Sequence, residues 1–225
     1  MTPDFHDAQR GISLYCGDSL QIAPELEFDA VISDPPWGMN NDTDNSRFSG
    51  GNIASISRRG NGVGTGGGVP IIGDDQPFDP TPWLACEKVV LFGSNHFAQR
   101  LPVGTTLVWL KRFDIGFGTF LSDAEIAWMK GGCGVYAKRD VSMTGEALTR
   151  IHPNQKPVPI MIWCMEMAKV QEGKTVLDPY SGSCSTGIAC IRTGRKFIGI
   201  EKDPTHFQTA LDRIKRELAQ GVLAL

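Results

Sequence analysis

Seven short β-rich runs punctuate the chain: "ISLYC" (12–16), "DAVIS" (29–33), "KVVLF" (88–92), "TLVWL" (106–110), "EIAWM" (125–129), "TVLD" (175–178) and "FIGIE" (197–201). Several are apolar at consecutive positions rather than at every second one. A strand with one solvated face alternates, so consecutive apolar residues need cover on both faces, as central parallel strands between helical layers have. Helical stretches lie between some of the runs. The last, "PTHFQTALDRIKRELAQG", puts Phe207, Ala210, Leu211, Ile214 and Leu218 on one stripe, with Pro204 at its start and Gly221 past its end. The pattern predicts an α/β fold built on one doubly wound sheet of seven strands.

A length of 225 residues, 41% of them hydrophobic, suits a single domain over 1–225. Six cysteines, Cys16, Cys86, Cys133, Cys164, Cys184 and Cys190, form no CxxC and no zinc-like pairing with the four histidines. They read as small buried hydrophobes in a reducing compartment, and no metal is expected. No charged-then-apolar leader and no apolar run near 18 residues is present, which predicts a soluble, cytoplasmic protein. The net charge of −3 argues against a protein that coats nucleic acid, though not against a local basic face. Arg58-Arg59, Lys111-Arg112, Lys138-Arg139, Arg150 and Lys156 fall in stretches read as loops or loop edges; each alone is a solvated surface, and only their gathering around one site would make a footprint.

Two regions break the rhythm of elements. Residues 38–80 hold no periodic segment, and "GGNIASISRRGNGVGTGGG" (50–68) has eight glycines in nineteen positions. Such a stretch predicts a flexible insert over about 47–68. The second region, about 131–151, mixes glycine, basic residues and one aromatic. No internal repeat is found.

The segment "TVLDPYSGSCSTGIACIRTGRKFIGIEKDP" reads as strand, tight turn, helix, strand. Gly182 and the small residues up to Gly187 let the backbone approach a ligand and present helix N-terminal amides to it. Glu201 closes the next strand 23 positions after Asp178, the distance at which a carboxylate takes two ribose hydroxyls in nucleotide-binding folds. Neither G-x-G-x-x-G nor G-K-[ST] is present to hold phosphates, and Asp178 at the mouth suits an ammonium. A nucleoside joined to an amino acid, S-adenosylmethionine, meets these conditions.

In "FDAVISDPPWGMN" a buried strand runs straight into Asp34, Pro35, Pro36 and Trp37. Alone, D-P-P-W ends a strand in a turn. Beside a sulfonium cofactor it has a chemical use. An aromatic exocyclic amine is a poor nucleophile because its lone pair is delocalised, and two acceptors aimed at its hydrogens, the Asp34 carboxylate and the Pro35 carbonyl, localise that pair and stabilise developing positive charge. The prolines fix φ and remove competing amide donors, while Trp37 offers a flat face to a base drawn out of the helix.

With "SDPPW", "HPNQKPV", "DPYSGSCSTG" and "GIEKDP" in this order, the chain resembles the amino-directed DNA methyltransferases, specifically their permuted β group. The resemblance covers nearly the whole chain. It implies one Rossmann-like S-adenosylmethionine-dependent methyltransferase domain, mostly parallel with one antiparallel strand and with circularly permuted motif order. The family pattern D-P-F-x-G-S-G-T-T is met by Asp178, Pro179, Gly182, Ser183 and Thr186, with Tyr180 as the aromatic and Ser185 for a threonine; Cys184 departs from it by replacing a glycine. The likeness implies that Glu201, followed by Lys202, holds the ribose and that Asp18, followed by Ser19, meets the cofactor's adenine amino group, although Asp18 also reads as a plain turn residue. Lys156 and Pro157 would lie beside the methionine moiety.

The expected substrate is double-stranded DNA with a flipped base. Arg58 and Arg59 would close over it, and Tyr136, Lys138, Arg139 and Arg150 in the 131–151 segment would read it. The rival reading of the insert is a loop with no DNA contact. The resembling enzymes that act on cytosine N4 often carry serine in place of the first aspartate, so Asp34 favours adenine N6. Cytosine N4, an RNA substrate, a protein glutamine (for which N-P-P-Y is usual) and a silent cofactor-binding module are the rival readings. The resemblance further allows a homodimer and a place in restriction–modification.

Overall fold

The computed structural model describes residues 1–39, 72–118, 122–141 and 155–222. Its strands are β1 (Phe5–Asp7), β2 (Ile12–Cys16), β3 (Ala30–Ser33), β4 (Lys88–Phe92), β5 (Gly104–Leu110), β6 (Ala124–Arg139), β7 (Thr175–Asp178) and β8 (Lys196–Glu201). Its helices are α1 (Ser19–Ile22), α2 (Thr81–Leu84), α3 (Val158–Met167), α4 (Ser185–Arg192) and α5 (Pro204–Val222). One sheet forms in the order β1-β2-β8-β7-β3-β4-β6-β5. The five strands from β2 to β4 are mutually parallel.

All seven expected runs are strands, and the reason is visible in β3. Its four residues are all buried, with Ala30 and Ile32 facing the layer of α3, α4 and α5 while Val31 faces a second core built from Tyr15, Ile22, Trp83, Leu91 and Phe97. Successive side chains point to opposite faces, so an unbroken apolar run fills two cores at once, each Val or Ile contributing about 2 kcal/mol. On α5 the stripe Ala210, Ile214 and Leu218 is buried as its spacing requires. Asp203 caps that helix by accepting from Thr205 N and His206 N at 2.7 and 3.0 Å, and the helix continues through Gly221 rather than stopping before it.

The sheet departs from the seven-strand expectation at both edges. β1 is a three-residue strand antiparallel to β2, too short to carry an apolar signature. At the other edge, β6 turns back on itself. Its first half runs antiparallel to β5, with Leu110 opposite Ala124 and Thr106 opposite Trp128; its second half runs parallel to the other side of β5, with Thr106 opposite Val135 and Leu110 opposite Arg139. Gly131 and Gly132, at φ 84° and 67°, make the reversal around the start of β5. There are therefore two antiparallel segments rather than one, and Lys138-Arg139 lie on a strand rather than in a loop. The returning half shows no core pattern in sequence because it is solvated: Val135 is 71% and Tyr136 51% exposed.

Of the cysteines, Cys164, Cys184 and Cys190 are buried as expected, Cys16 and Cys86 are half-buried, and Cys133 is exposed on the reversal of β6. Among the described residues no helix is long and apolar enough to cross a membrane. The arrangement that matters for function lies at the centre of the sheet. β3 and β7 are parallel neighbours, so the two motifs that follow them leave the sheet side by side, at the kind of crossover point where open α/β sheets bind ligands.

Candidate active site

The two corners are joined by hydrogen bonds. Ser33 Oγ donates to Asp178 Oδ1 at 2.6 Å, Thr186 Oγ1 donates to Asp178 Oδ2 at 2.6 Å, and Tyr180 N donates weakly to Oδ1 at 3.3 Å. Asp178 is only 4% exposed. Burial pushes its carboxyl up to about 6, against the pull of the two hydroxyls and with a further push from neighbouring Asp34. Sequence reasoning assigned Asp178 to an ammonium; the structure shows it also bracing β7 to β3.

A cavity of about 540 Å³ opens between the corners. The proline corner supplies Asp34, Pro35, Pro36 and Trp37, the glycine turn supplies Asp178, Tyr180, Gly182, Ser183, Ser185 and Thr186, and Asp18, Ser19, Lys156, Glu201 and Lys202 complete the expected set. Every expected cofactor-binding residue thus lines one space. Glu201 is held by two backbone amides, Gly182 N on Oε2 at 2.8 Å and Asp203 N on Oε1 at 2.9 Å. Each oxygen keeps a second lone pair for a ligand.

The turn itself explains the departure at Cys184. Cys184 has φ 59°, in the left-handed region where glycine is unstrained, and its buried side chain packs into the helical-layer core. Burial pushes its thiol up to about 12, so it is an inert packing group. Gly187 is fixed by packing, since a Cβ there would lie 2.8 Å from the Phe197 ring and 2.9 Å from Ile214. Arg213 of α5 supports the turn from behind, donating to Ser183 O at 2.7 Å and Ser185 Oγ at 3.0 Å.

Asp18 is less free than expected. Its Oδ1 caps α1 through Leu20 N at 2.9 Å, and its Oδ2 pairs with Lys202 Nζ at 2.9 Å. The Lys202 hydrogen bond is the chief reason its carboxyl lies below the ordinary range. The Lys202 side chain is 58% exposed, so this pair is a weak tie that a ligand can displace.

Around Asp34 the structure adds Glu125, which sequence reasoning missed, and contacts of Lys156 and Lys111 that it did not expect. Lys156, 5% exposed, donates to Asp34 Oδ2 and lies 3.2 Å from Glu125 Oε2; Glu125 Oε1 in turn accepts from Lys111 Nζ at 3.1 Å. Burial pushes Asp34 above the ordinary carboxyl range, with Lys156 pulling it back and Glu125 pushing it further. Burial also pulls Lys156 down, but Asp34 and Glu125 outweigh it and hold the ammonium charged. Lys156, expected beside a methionine moiety, sits on the carboxylate of the proline corner. Asp34 Oδ1 and Trp37 Nε1 are both shut from water without a full hydrogen bond; the indole N–H lies near enough to favour the ionised acid but falls short of bonding geometry.

Trp37 stacks on His96, with ring centroids 4.9 Å apart and planes at 13°, so one of its faces is covered. Its indole edge lies over Gly93, where a Cβ would come within 2.0 Å of Nε1. A further missed wall is the segment from Ile72 to Asp79. Buried Asp74 ties it to the proline corner, accepting from Gly38 N at 2.8 Å and Met39 N at 3.2 Å. Gly38, at φ 76°, leaves no room for a Cβ, which would lie 2.4 Å from Gln76 O. The glycine after the tryptophan was the one available signal for that close approach.

Among the described residues, the expected nucleic-acid contacts Tyr136, Lys138 and Arg139 do not line the cavity. Lys138 and Arg139 lie on the far edge of the sheet, where Arg139 pairs with Asp114 and sits 5.6 Å from the centre of the Phe117 ring. Arg58, Arg59, Arg150, the 47–68 insert, His152 and Asn154 lie outside the described residues, as does the 142–151 part of the expected reading segment. Among the described residues no three His, Cys, Asp or Glu side chains are grouped to hold a metal.

A family model described as DNA methylase matches residues 104–212. Type II methyltransferase M2.DpnII of Streptococcus pneumoniae is 38% identical over 66 residues, covering 29% of this chain and 24% of that protein. Type II methyltransferase M2.LlaDCHI of Lactococcus lactis subsp. cremoris is 37% identical over 71 residues, covering 32% and 26%. The match thus spans about a quarter of the length of these relatives. Among solved structures, the M1.HpyAVI–SAM complex superimposes with a TM-score of 0.54 at 21% identity, covering 90% of this chain and 98% of the other. PvuII DNA methyltransferase (cytosine-N4-specific) superimposes with a TM-score of 0.54 at 13% identity, covering 90% and 86%. At these identities the superpositions establish the Rossmann-like fold.

Proposed function

We propose, from a resemblance in sequence and fold to the amino-directed DNA methyltransferases, that this chain is a DNA methyltransferase moving a methyl group from S-adenosylmethionine to the 6-amino group of adenine. The observation that carries the reading is the Ser33–Asp178 hydrogen bond, which puts the proline corner and the glycine turn on one cavity.

The residues present fit the cofactor. Glu201, held by two amides, presents free lone pairs for a cis-diol; Gly182 keeps the turn open, and the Asp34 and Asp178 carboxyls suit a ligand carrying an ammonium and a sulfonium. When bound, S-adenosylmethionine supplies an electrophilic methyl group. Asp34 and the Pro35 carbonyl accept hydrogen bonds from the base amino group, turning its lone pair outward and stabilising the charge that develops on nitrogen. Trp37, backed by His96, borders the base. Such a base must leave the helix to reach a cavity at the carboxyl ends of the central strands, so a flipped nucleotide is part of the proposal.

Asp34, where serine marks the cytosine relatives, favours adenine. The proline corner precedes the glycine turn in the chain, which supports the permuted motif order and one methyltransferase unit over 1–225. A pairing of two copies rests on the resemblance alone. The test incubates the protein with labelled S-adenosylmethionine and unmethylated DNA or RNA, then digests and identifies the modified nucleoside. N6-methyldeoxyadenosine is expected. N4-methyldeoxycytidine overturns the choice of base, and label confined to RNA or protein overturns the choice of substrate.

A further inference from the structure

We propose that Lys156, backed by Glu125 and Lys111, is a positioning residue that fixes the Asp34 carboxylate through its Oδ2 and so holds it in place to accept from the substrate amino group. The inference rests on the methyl-transfer reading of the cavity and adds to it Glu125 and Lys111, which lie outside the motifs, and a role for Lys156 toward Asp34.

Four separate parts of the chain converge here. Asp34 follows β3, Glu125 is on β6, Lys111 follows β5 and Lys156 precedes α3. The result is a row of alternating charge, Asp34–Lys156–Glu125–Lys111, in which two acids face two ammonium groups. A surface pair of this kind would contribute little, but Lys156 is almost wholly buried, and a buried ammonium persists only where its charge and donors are matched. The Phe92 and Trp37 rings, 5.4 and 5.6 Å from Nζ, occupy its remaining surroundings.

The tie between Lys156 and Asp34 carries the argument. One carboxylate oxygen is held by Lys156 and the other is shut from water beside the Trp37 indole, while the residue borders the cavity. A buried carboxylate stripped of its charged donor is costly, so the placement of Asp34 depends on Lys156. Without Lys156 the carboxyl could rotate or take up a proton, and a protonated acid cannot accept from two directions. Glu125 pairs with Lys156 at 3.2 Å and so balances its charge. The charged groups facing Asp34 from the packed elements are Lys156, Glu125 and, across the cavity floor, Asp178.

The test compares Lys156→Met, Lys156→Arg and Glu125→Gln in the full chain. Loss of the cation in Lys156→Met should lower kcat roughly 100-fold while the Kd for S-adenosylmethionine stays within about threefold; Lys156→Arg should restore part of the rate. Carbon-13 NMR of the Asp34 carboxyl gives a readout independent of turnover. Its titration midpoint should move up in Lys156→Met, which removes a positive neighbour, and down in Glu125→Gln, which removes a negative one. Glu125→Gln, nearly isosteric, decides the matter if Lys156→Met does not fold. Unmoved midpoints, or cofactor affinity falling in step with kcat, would overturn the inference. If the wild-type protein methylates no nucleic acid, the proposed function fails, and the two opposed midpoint shifts still decide whether Lys156 sets the state of Asp34.

Discussion

Ser33 and Asp178 stand 145 positions apart in the chain, yet the Ser33 hydroxyl donates to the Asp178 carboxylate at 2.6 Å. Parallel pairing of β3 with β7 makes that bond possible, and it locks together the ends of the two strands from which both halves of the cavity hang. A buried carboxylate that loses a charge-assisted donor is left with an unmet lone pair. Ser33→Ala should therefore destabilise the fold by about 1–3 kcal/mol at neutral pH, read as a lower urea midpoint at unchanged m.

Asp178 gives a stability signature in pH. Its carboxyl is raised from 3.8 to about 6 in the folded protein. Between those values the unfolded chain has released the proton and the folded one retains it, so stability falls as pH rises through the window and levels off above it. Asp178→Asn removes this titration. The variant should gain on the wild type from pH 4 to pH 6, by up to roughly 3 kcal/mol, and hold a constant difference from pH 7 to pH 8. Chemical denaturation at several pH values measures the curve, and a difference independent of pH would refute the assignment.

His96 covers one face of Trp37. Its removal frees the indole to move without touching the glycine turn. In His96→Ala the KM for DNA should rise several-fold, in line with a stacking contribution of about 0.5–1.5 kcal/mol, while the Kd for S-adenosylmethionine is unchanged. Steady-state kinetics with each substrate varied in turn will separate the two.

The legible parts of this molecule are those whose signal is local. "DAVIS" and "TVLD" announce buried strands because both faces are filled by adjacent residues, and the acids that close them, with their prolines and glycines, occupy fixed offsets from the strand ends. All the expected cofactor residues accordingly line one cavity. Lys111 and Glu125 gave no such signal, and Lys156, legible within "HPNQKPV", gave none of its contact with Asp34, because each acquires that role only when separate elements pack together; Lys156 and Asp34 are 122 positions apart. Asp74 was hidden for the same reason, its only trace being the glycine at 38. The return of β6 was missed because a solvated edge strand needs no apolar pattern, and so Lys138 and Arg139, read as a loop near the substrate, lie instead at the margin of the sheet.

The central claim is that acceptor and cofactor turn, side by side in a single cavity, serve one reaction, and paired substitutions test it most directly. S-adenosylmethionine binding by calorimetry and methyl transfer to DNA should be measured side by side for Asp34→Asn and Glu201→Ala. The account predicts that Asp34→Asn abolishes transfer while keeping the cofactor Kd within a few-fold, and that Glu201→Ala weakens the cofactor by about tenfold or more, the loss of a charged hydrogen-bonding group. Full transfer by Asp34→Asn, or cofactor binding indifferent to Glu201→Ala, would contradict it.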